Sequence, residues 1–152
     1  MSTPREYCSW YLLPAFVDLK KNLSKARRLL KAAALDFDAV ACRGVSGIVF
    51  ASPLALSLGK PLIVVRKSGD GSHSNNHVEC GVEWENVKRW LFVDDFISSG
   101  ATMTEVNKAL IAVDPKLVCA GRLLYSRMEV QTAETGKILF RIDDDGKLKK
   151  YS

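Results

Sequence analysis

The order of its segments constrains this chain most, because buried-strand candidates alternate with helix candidates along most of its length. "FDAVAC" (37–42) reads as a short buried strand, and "RGVSG" turns it into an alanine-rich apolar run that suits a helix as far as Leu58, where Gly59 ends it. "PLIVVR" (61–66) reads as a second strand and "VKRWLFVDD" (87–95) as a third. "TMTEVNKALIAV" (102–113) then supplies a helix and "KLVCAGRLLY" (116–125) a further strand beyond the Asp114-Pro115 break. Strand and helix in that order predict an α/β domain with a mainly parallel central sheet flanked by helices. The tail differs: "KILFRI" and "KLKKY" flank "DDDG", which predicts an antiparallel hairpin turning near Asp145-Gly146.

Composition narrows the class. With 152 residues, 47% of them hydrophobic and 26% charged, the chain has apolar material for one core and is expected to form a single domain over 1–152. No apolar run approaches a membrane span, and "YLLPAFV" is interrupted by Pro14 and stopped by Asp18, so a soluble, cytoplasmic protein without a membrane partner is expected. The four cysteines are far apart and form no C-x-x-C pair, which argues against a zinc site and a disulfide framework. Cys42 and Cys119 sit in apolar runs, where a reduced cysteine acts as a small hydrophobe.

The net charge of +5 is uneven. Lys20, Lys21, Lys25, Arg27, Arg28 and Lys31 crowd one segment, while Phe16, Leu19, Leu23, Ala26, Leu30 and Ala33 recur at three- and four-residue steps. The segment therefore reads as an amphipathic helix with a basic outer face. A solvated face explains such charge more simply than nucleic-acid or membrane binding, and an anionic substrate would explain part of it.

"RWLFVDDFISSGATMTE" (89–105) carries the strongest chemical signal. A core strand has no use for two adjacent carboxylates at its end, yet Asp94 and Asp95 stand there, followed by small and hydroxyl residues. In open α/β sheets ligands bind beyond the carboxyl ends of the strands, which is where these acids are delivered. Ser98, Ser99, Gly100 and Ala101 let backbone N–H groups converge at the start of the helix near Thr102, a phosphate cradle with hydroxyls to assist. No G-x-x-x-x-G-K-[ST] lysine and no G-x-G-x-x-G is present. Paired acceptors beside a phosphate cradle suit a vicinal diol, so a ribose 5-phosphate meets both requirements.

"WLFVDDFISSGAT" (90–102) resembles the phosphoribosyl-diphosphate (PRPP) signature of the type I phosphoribosyltransferases. "DAVACRGVSG" resembles their diphosphate loop, and "LGKPLIVVRKSGDG" their second strand and the start of the flexible loop, most of all in adenine- and orotate-type members. The resemblance covers about residues 37–125. It implies a core of about 36–125 and a small hood from segments 1–35 and 126–152. The activity implied is transfer of the 5-phosphoribosyl group of PRPP to a nucleobase or related heterocycle, with release of diphosphate. The alternative is a non-catalytic PRPP- or nucleotide-binding regulator, with nucleic acid held by the basic helix.

By the same resemblance Asp94 and Asp95 would engage the ribose and favour the oxocarbenium-like centre, and Ser98, Ser99, Gly100, Ala101 and Thr102 would hold the 5-phosphate. Arg43, Gly44, Val45 and Ser46, with Arg66 and Lys67, would approach the diphosphate. The loop from Ser68 to Asn76 would close over the reaction, with Asp70 and His73, and His77 just beyond, as its titratable groups. Mg2+ would bridge substrate oxygens without a dedicated protein motif, and a homodimer is implied. Serine at position 98, where hypoxanthine- and guanine-type members carry a proton-exchanging aspartate, disfavours those bases.

Overall fold

The computed structural model describes residues 18–67, 77–97 and 100–151. Their strands form one eight-stranded sheet in the order β3-β2-β1-β4-β5-β6-β7-β8. The central four, β1 (Ala39–Arg43), β2 (Leu62–Val65), β4 (Arg89–Asp94) and β5 (Val118–Leu124), are mutually parallel. β3 (Val78–Cys80) closes one edge antiparallel to β2. On the other side β6 (Glu129–Gln131), β7 (Ile138–Ile142) and β8 (Leu148–Lys150) continue the sheet as an antiparallel meander. The tail hairpin turns at Asp145-Gly146 as its composition predicts, with Gly146 at φ 80°.

Alternation of side chains along the central strands divides the core. Val40, Cys42, Leu91 and Val93 pack towards α1 (Leu19–Ala33) and α2 (Gly44–Leu58), whereas Ala39, Ala41, Trp90 and Phe92 face α3 (Ala101–Val113). Both layers are dry: Trp90, Phe92, Leu91 and Val93 are fully buried. A strand covered on both faces reads as an unbroken apolar run, which is why "WLFV" lacks the alternation of an exposed strand. Cys42 belongs to this core, and burial pushes its thiol up to about 12.

The helices begin and end for local reasons. Ala26, Leu29 and Leu30 form the buried stripe of α1, leaving its cations outward. α2 starts at Gly44, so the turn read from "RGVSG" is its first turn. It stops where Gly59, at φ 64°, returns its N–H to the carbonyls of Ala55 and Leu56. Pro53 lies inside α2, half-buried, and lacks the N–H that would donate one hydrogen bond of the helix. α2 links β1 to β2 over one face of the sheet and α3 links β4 to β5 over the other. The chain therefore departs in opposite directions from the adjacent carboxyl ends of β1 and β4, the switch point where a parallel sheet opens a crevice.

Two strands and a 3-10 turn were not visible in the sequence. β3 is three residues long, and the turn Trp84–Asn86 follows it. β6 begins after Met128, which holds φ 47° although it is not glycine. Among the described residues no helix is long and apolar enough to cross a membrane.

Candidate active site

The crevice is built by the last residues of β1 and β4. Asp94 ends β4 and Asp95 follows it, and the two are only 5% and 7% exposed. Each carboxylate is turned back on the backbone: the Asp95 N–H donates to Asp94 Oδ1 at 2.8 Å, and the Phe96 N–H to Asp95 Oδ1 at 2.8 Å. Ser46, in the first turn of α2, donates its hydroxyl to Asp94 Oδ1 at 3.2 Å and so joins the two strand ends. Neither acid forms an ion pair among the described residues. Burial, reinforced by the neighbouring Asp95 carboxyl, raises Asp94 from the ordinary carboxylate range to about 7, with the Ser46 hydroxyl pulling the other way. Among the described residues no side-chain cation pairs with either acid.

A third strand braces the acids. The Tyr125 N–H donates to the Asp94 carbonyl at 3.1 Å and the Ser126 N–H to the Asp95 carbonyl at 3.1 Å, where the Ser126 hydroxyl binds as well. The Tyr125 phenol reaches the Ser46 carbonyl, and its ring stacks on Phe50 with centroids 4.7 Å apart. Sequence reading assigned no role to Tyr125 or Ser126. Their partners lie 79 and 31 residues away, a separation that local pattern does not reveal.

On the β1 side Gly44 holds φ 74°, a conformation in which a side chain is strained. Space is also short: a Cβ there would stand 2.8 Å from Lys67 Cε and 3.1 Å from its Nζ. The end of β2 therefore lays its lysine across the start of α2. Arg43 sits beside it with a buried Nε that has no hydrogen-bond partner among the described residues. Val45 is 62% exposed on the same turn. Arg66 is placed differently from Lys67, its guanidinium held to Glu79 on β3 at 3.1 Å, so part of its charge is answered within the protein.

Gly100 precedes α3 at φ 78°, with open space where its Cβ would stand. Neither N-cap residue, Arg43 for α2 or Gly100 for α3, caps its helix with a side chain. Two helix starts thus meet the crevice carrying the positive end of their dipoles. Ala101 and Thr102 form the first turn of α3. Ser98, Ser99, Asp70 and His73 lie outside the described residues. His77 is exposed, and its carbonyl accepts the Arg66 N–H at 2.9 Å.

Two further residues escaped the sequence reading. Phe96, next to the acids, is 39% exposed and offers an aromatic face at the rim. Glu129 is 2% exposed with one carboxylate oxygen unpartnered. It stands opposite Leu124, which in turn stands opposite Asp94, two strands or about 10 Å away across the sheet.

Comparison with known proteins agrees with this geometry. The transcriptional regulator GfcR of Methanocaldococcus jannaschii is 34% identical over 118 residues, covering 68% of this chain and 56% of the relative. An orotate phosphoribosyltransferase of Oceanobacillus iheyensis is 32% identical over 106 residues, covering 68% and 51%. The chain spans about half the length of the curated relatives it matches. Among solved structures, orotate phosphoribosyltransferase from Aeropyrum pernix superimposes with a TM-score of 0.56 over 78% of this chain and 64% of that one, at 22% identity. Adenine phosphoribosyltransferase from Thermoanaerobacter pseudethanolicus gives 0.51 over 73% and 70%, also at 22%. At that identity the likeness establishes the type I phosphoribosyltransferase fold alone. The phosphoribosyl transferase domain model matches residues 14–136, a span that takes in every element from β1 to β6 that shapes the crevice, and the chain therefore belongs to that family.

Proposed function

We propose that the protein transfers the 5-phosphoribosyl group of PRPP to a ring nitrogen of a nucleobase or related heterocycle. The observation that carries this reading is the buried pair Asp94 and Asp95 at the switch point, without an ion pair among the described residues and flanked by the starts of two helices. In this reading the first turn of α3, from Gly100 to Thr102 with Ser98 and Ser99, receives the 5-phosphate. Gly44, Val45 and Ser46 receive the diphosphate through backbone N–H groups, and Arg43 and Lys67 supply charge beside it. Arg66, paired with Glu79, adds its charge at the same strand end.

The bond between the anomeric carbon and diphosphate breaks, its electron pair leaving with diphosphate, while the heterocycle nitrogen forms the new bond and releases its proton. Asp94 and Asp95 hold the ribose hydroxyls, and their negative charge favours the positive character at the anomeric carbon. Phe96 offers the incoming ring a flat apolar face. A divalent ion fits these residues, since two adjacent carboxylates without an ion pair among the described residues are available to it. Asp94 and Asp95 would help hold Mg2+ with the substrate, and the ion would neutralise charge on the leaving diphosphate. A homodimer and a cytoplasmic location belong to the same proposal.

A second reading is favoured by the likeness to a protein named as a transcriptional regulator: the same crevice binds PRPP or a nucleotide without turnover. One experiment separates the two. Diphosphate release from PRPP with Mg2+ is measured across adenine, guanine, hypoxanthine, xanthine, orotate, uracil and nicotinamide, beside a calorimetric titration without base. Release with one base supports the transferase and names its acceptor. Saturable binding without release supports the regulator, and no binding of PRPP or nucleotide overturns both.

A further inference from the structure

The edge of the sheet opposite the crevice holds a second concave surface. Between α1 and the end of α2 lies a groove of about 670 Å³, of a size with sites that hold ligands. One stripe of α1, Lys20, Ser24, Arg27 and Lys31, lines it at steps of four, three and four residues, so the stripe runs along the helix for roughly 16 Å. Ser57 and Lys60 form the facing wall, and the floor is apolar, with Leu30 and Phe37 buried beneath the cations.

The charge of this groove is nearly unanswered. Asp36 is the one acid among the described residues that line it. Lys20, Arg27, Lys31 and Lys60 form no ion pair among the described residues. Arg27 reaches only the Ser57 hydroxyl, at 3.5 Å, and Lys60 sits over the Phe37 ring at 5.8 Å. Asp38 is turned away, accepting the backbone N–H groups of Lys88 and Arg89. Arg28 is the most engaged cation, donating to the Gly146 carbonyl at 3.1 Å. Lys20, Arg27, Arg28 and Lys31, four of the six basic residues of α1, line this concavity while staying exposed, so the outer face of the helix is also one wall of a groove.

We propose that this groove binds the phosphate backbone of a single-stranded nucleic acid. An elongated row of cations with the hydroxyls of Ser24 and Ser57 beside it matches a chain of phosphates better than one compact anion, and such grooves hold strands through charge with little demand on sequence. A bilayer would not reach the apolar floor, which lies under the cations in a concave wall. The site is remote from the crevice and stands whether or not PRPP is turned over.

Fluorescence anisotropy with labelled 15-nucleotide oligouridylate and oligothymidylate, from low to physiological salt, tests this on the full chain. Both strands are expected to bind, with affinity falling steeply as salt rises. Arg27→Glu with Lys31→Glu should weaken binding at least tenfold and reduce the salt slope by about two. Lys108→Glu with Lys116→Glu, an equal change of charge on exposed residues elsewhere, should leave binding as it is. Circular dichroism and melting curves confirm that each variant folds. Absence of binding at low salt, an equal loss in both double variants, or binding confined to one sugar type would overturn the assignment. So would displacement of the strand by an equal concentration of tripolyphosphate, which would make the groove a pocket for small polyanions.

Discussion

Two aspartates stand at opposite ends of neighbouring central strands and meet opposite fates. Asp38 precedes β1 at the amino edge of the sheet, where one of its oxygens accepts N–H groups from Lys88 and Arg89, each at 2.9 Å. Asp94 ends β4 at the carboxyl edge, buried beside a second carboxylate. Those backbone N–H groups hold Asp38 below the usual carboxylate range, whereas burial pushes Asp94 up to about 7. The amino edge answers its acid with two backbone N–H groups, whereas the carboxyl edge buries Asp94 beside a second carboxylate. A buried carboxylate without a partner cation is costly in the protein alone and useful where a ligand supplies the charge, so the difference supports the proposal that the carboxyl edge is the site.

Breaking the comparison at its strongest point gives the largest effect. Asp94→Asn with Asp95→Asn should leave the fold intact, because amide oxygens can still accept from Ser46 and the backbone. Turnover should fall by at least roughly 10³, the scale on which a misplaced electrostatic partner costs an enzyme. The matched exchange at the amino edge, Asp36→Asn with Asp38→Asn, should leave turnover within about twofold of the parent. Steady-state diphosphate release checks both, with PRPP affinity as the readout if no base is turned over. A well-folded carboxyl-edge variant with parental activity and affinity would remove the acids from the site.

Two glycines sharpen the contrast along α2. Gly44 begins the helix at the carboxyl edge and Gly59 ends it at the amino edge, with φ 74° and 64°. Alanine at either position should cost about 1–2 kcal/mol of stability, since the backbone strain is common to both. Only at Gly44 does the new Cβ meet anything, 2.8 Å from Lys67 Cε, while Gly59 faces open space. Gly44→Ala should therefore displace the lysine and weaken PRPP binding on the order of tenfold, or about 1.4 kcal/mol, with Gly59→Ala unchanged in affinity. Paired calorimetric titrations decide it, and equal affinities would mean that Lys67 does not serve the ligand.

How far the sequence made this legible depends on the range of the interactions involved. The central strands, the two crossover helices and the paired acids each announce themselves within a dozen residues, through unbroken apolar runs, glycine stops and a turn of small residues. β3 does not, because a three-residue edge strand is defined by the backbone of Ile63, Val64 and Val65 rather than by its own pattern. β6 is equally silent, and its Glu129 would suggest an exposed position although it is buried. Tyr125 and Ser126 gain their roles from Ser46 and Asp95, which only the closed sheet brings near. Arg66 and Lys67 are adjacent in sequence and look interchangeable, but the pairing of β2 with β3 gives one to Glu79 and leaves the other across Gly44. The basic stripe of α1 was plain as composition, yet its concave setting depends on where α2 ends.

The smallest effect follows from the sign of the two titrations. Asp94 binds its proton more tightly in the folded protein than in the unfolded chain. Its contribution to stability is therefore full below pH 4 and is lost as pH rises to about 7, beyond which the deficit is constant. Asp38 behaves oppositely: its contribution is present above the ordinary carboxylate value and is lost as pH falls through its lowered folded value. Asp94→Asn should gain stability on the parent between pH 5 and pH 8, by on the order of 1 kcal/mol, read as a higher melting temperature. Asp38→Asn should lie below the parent at pH 7 and approach it by pH 3, with a smaller difference because that carboxyl is partly exposed. Melting curves of the three proteins over pH 3–8 provide the check. Curves that ran parallel would show that both carboxylates are equally well satisfied, and the distinction between the two edges would then rest on the ligand experiments alone.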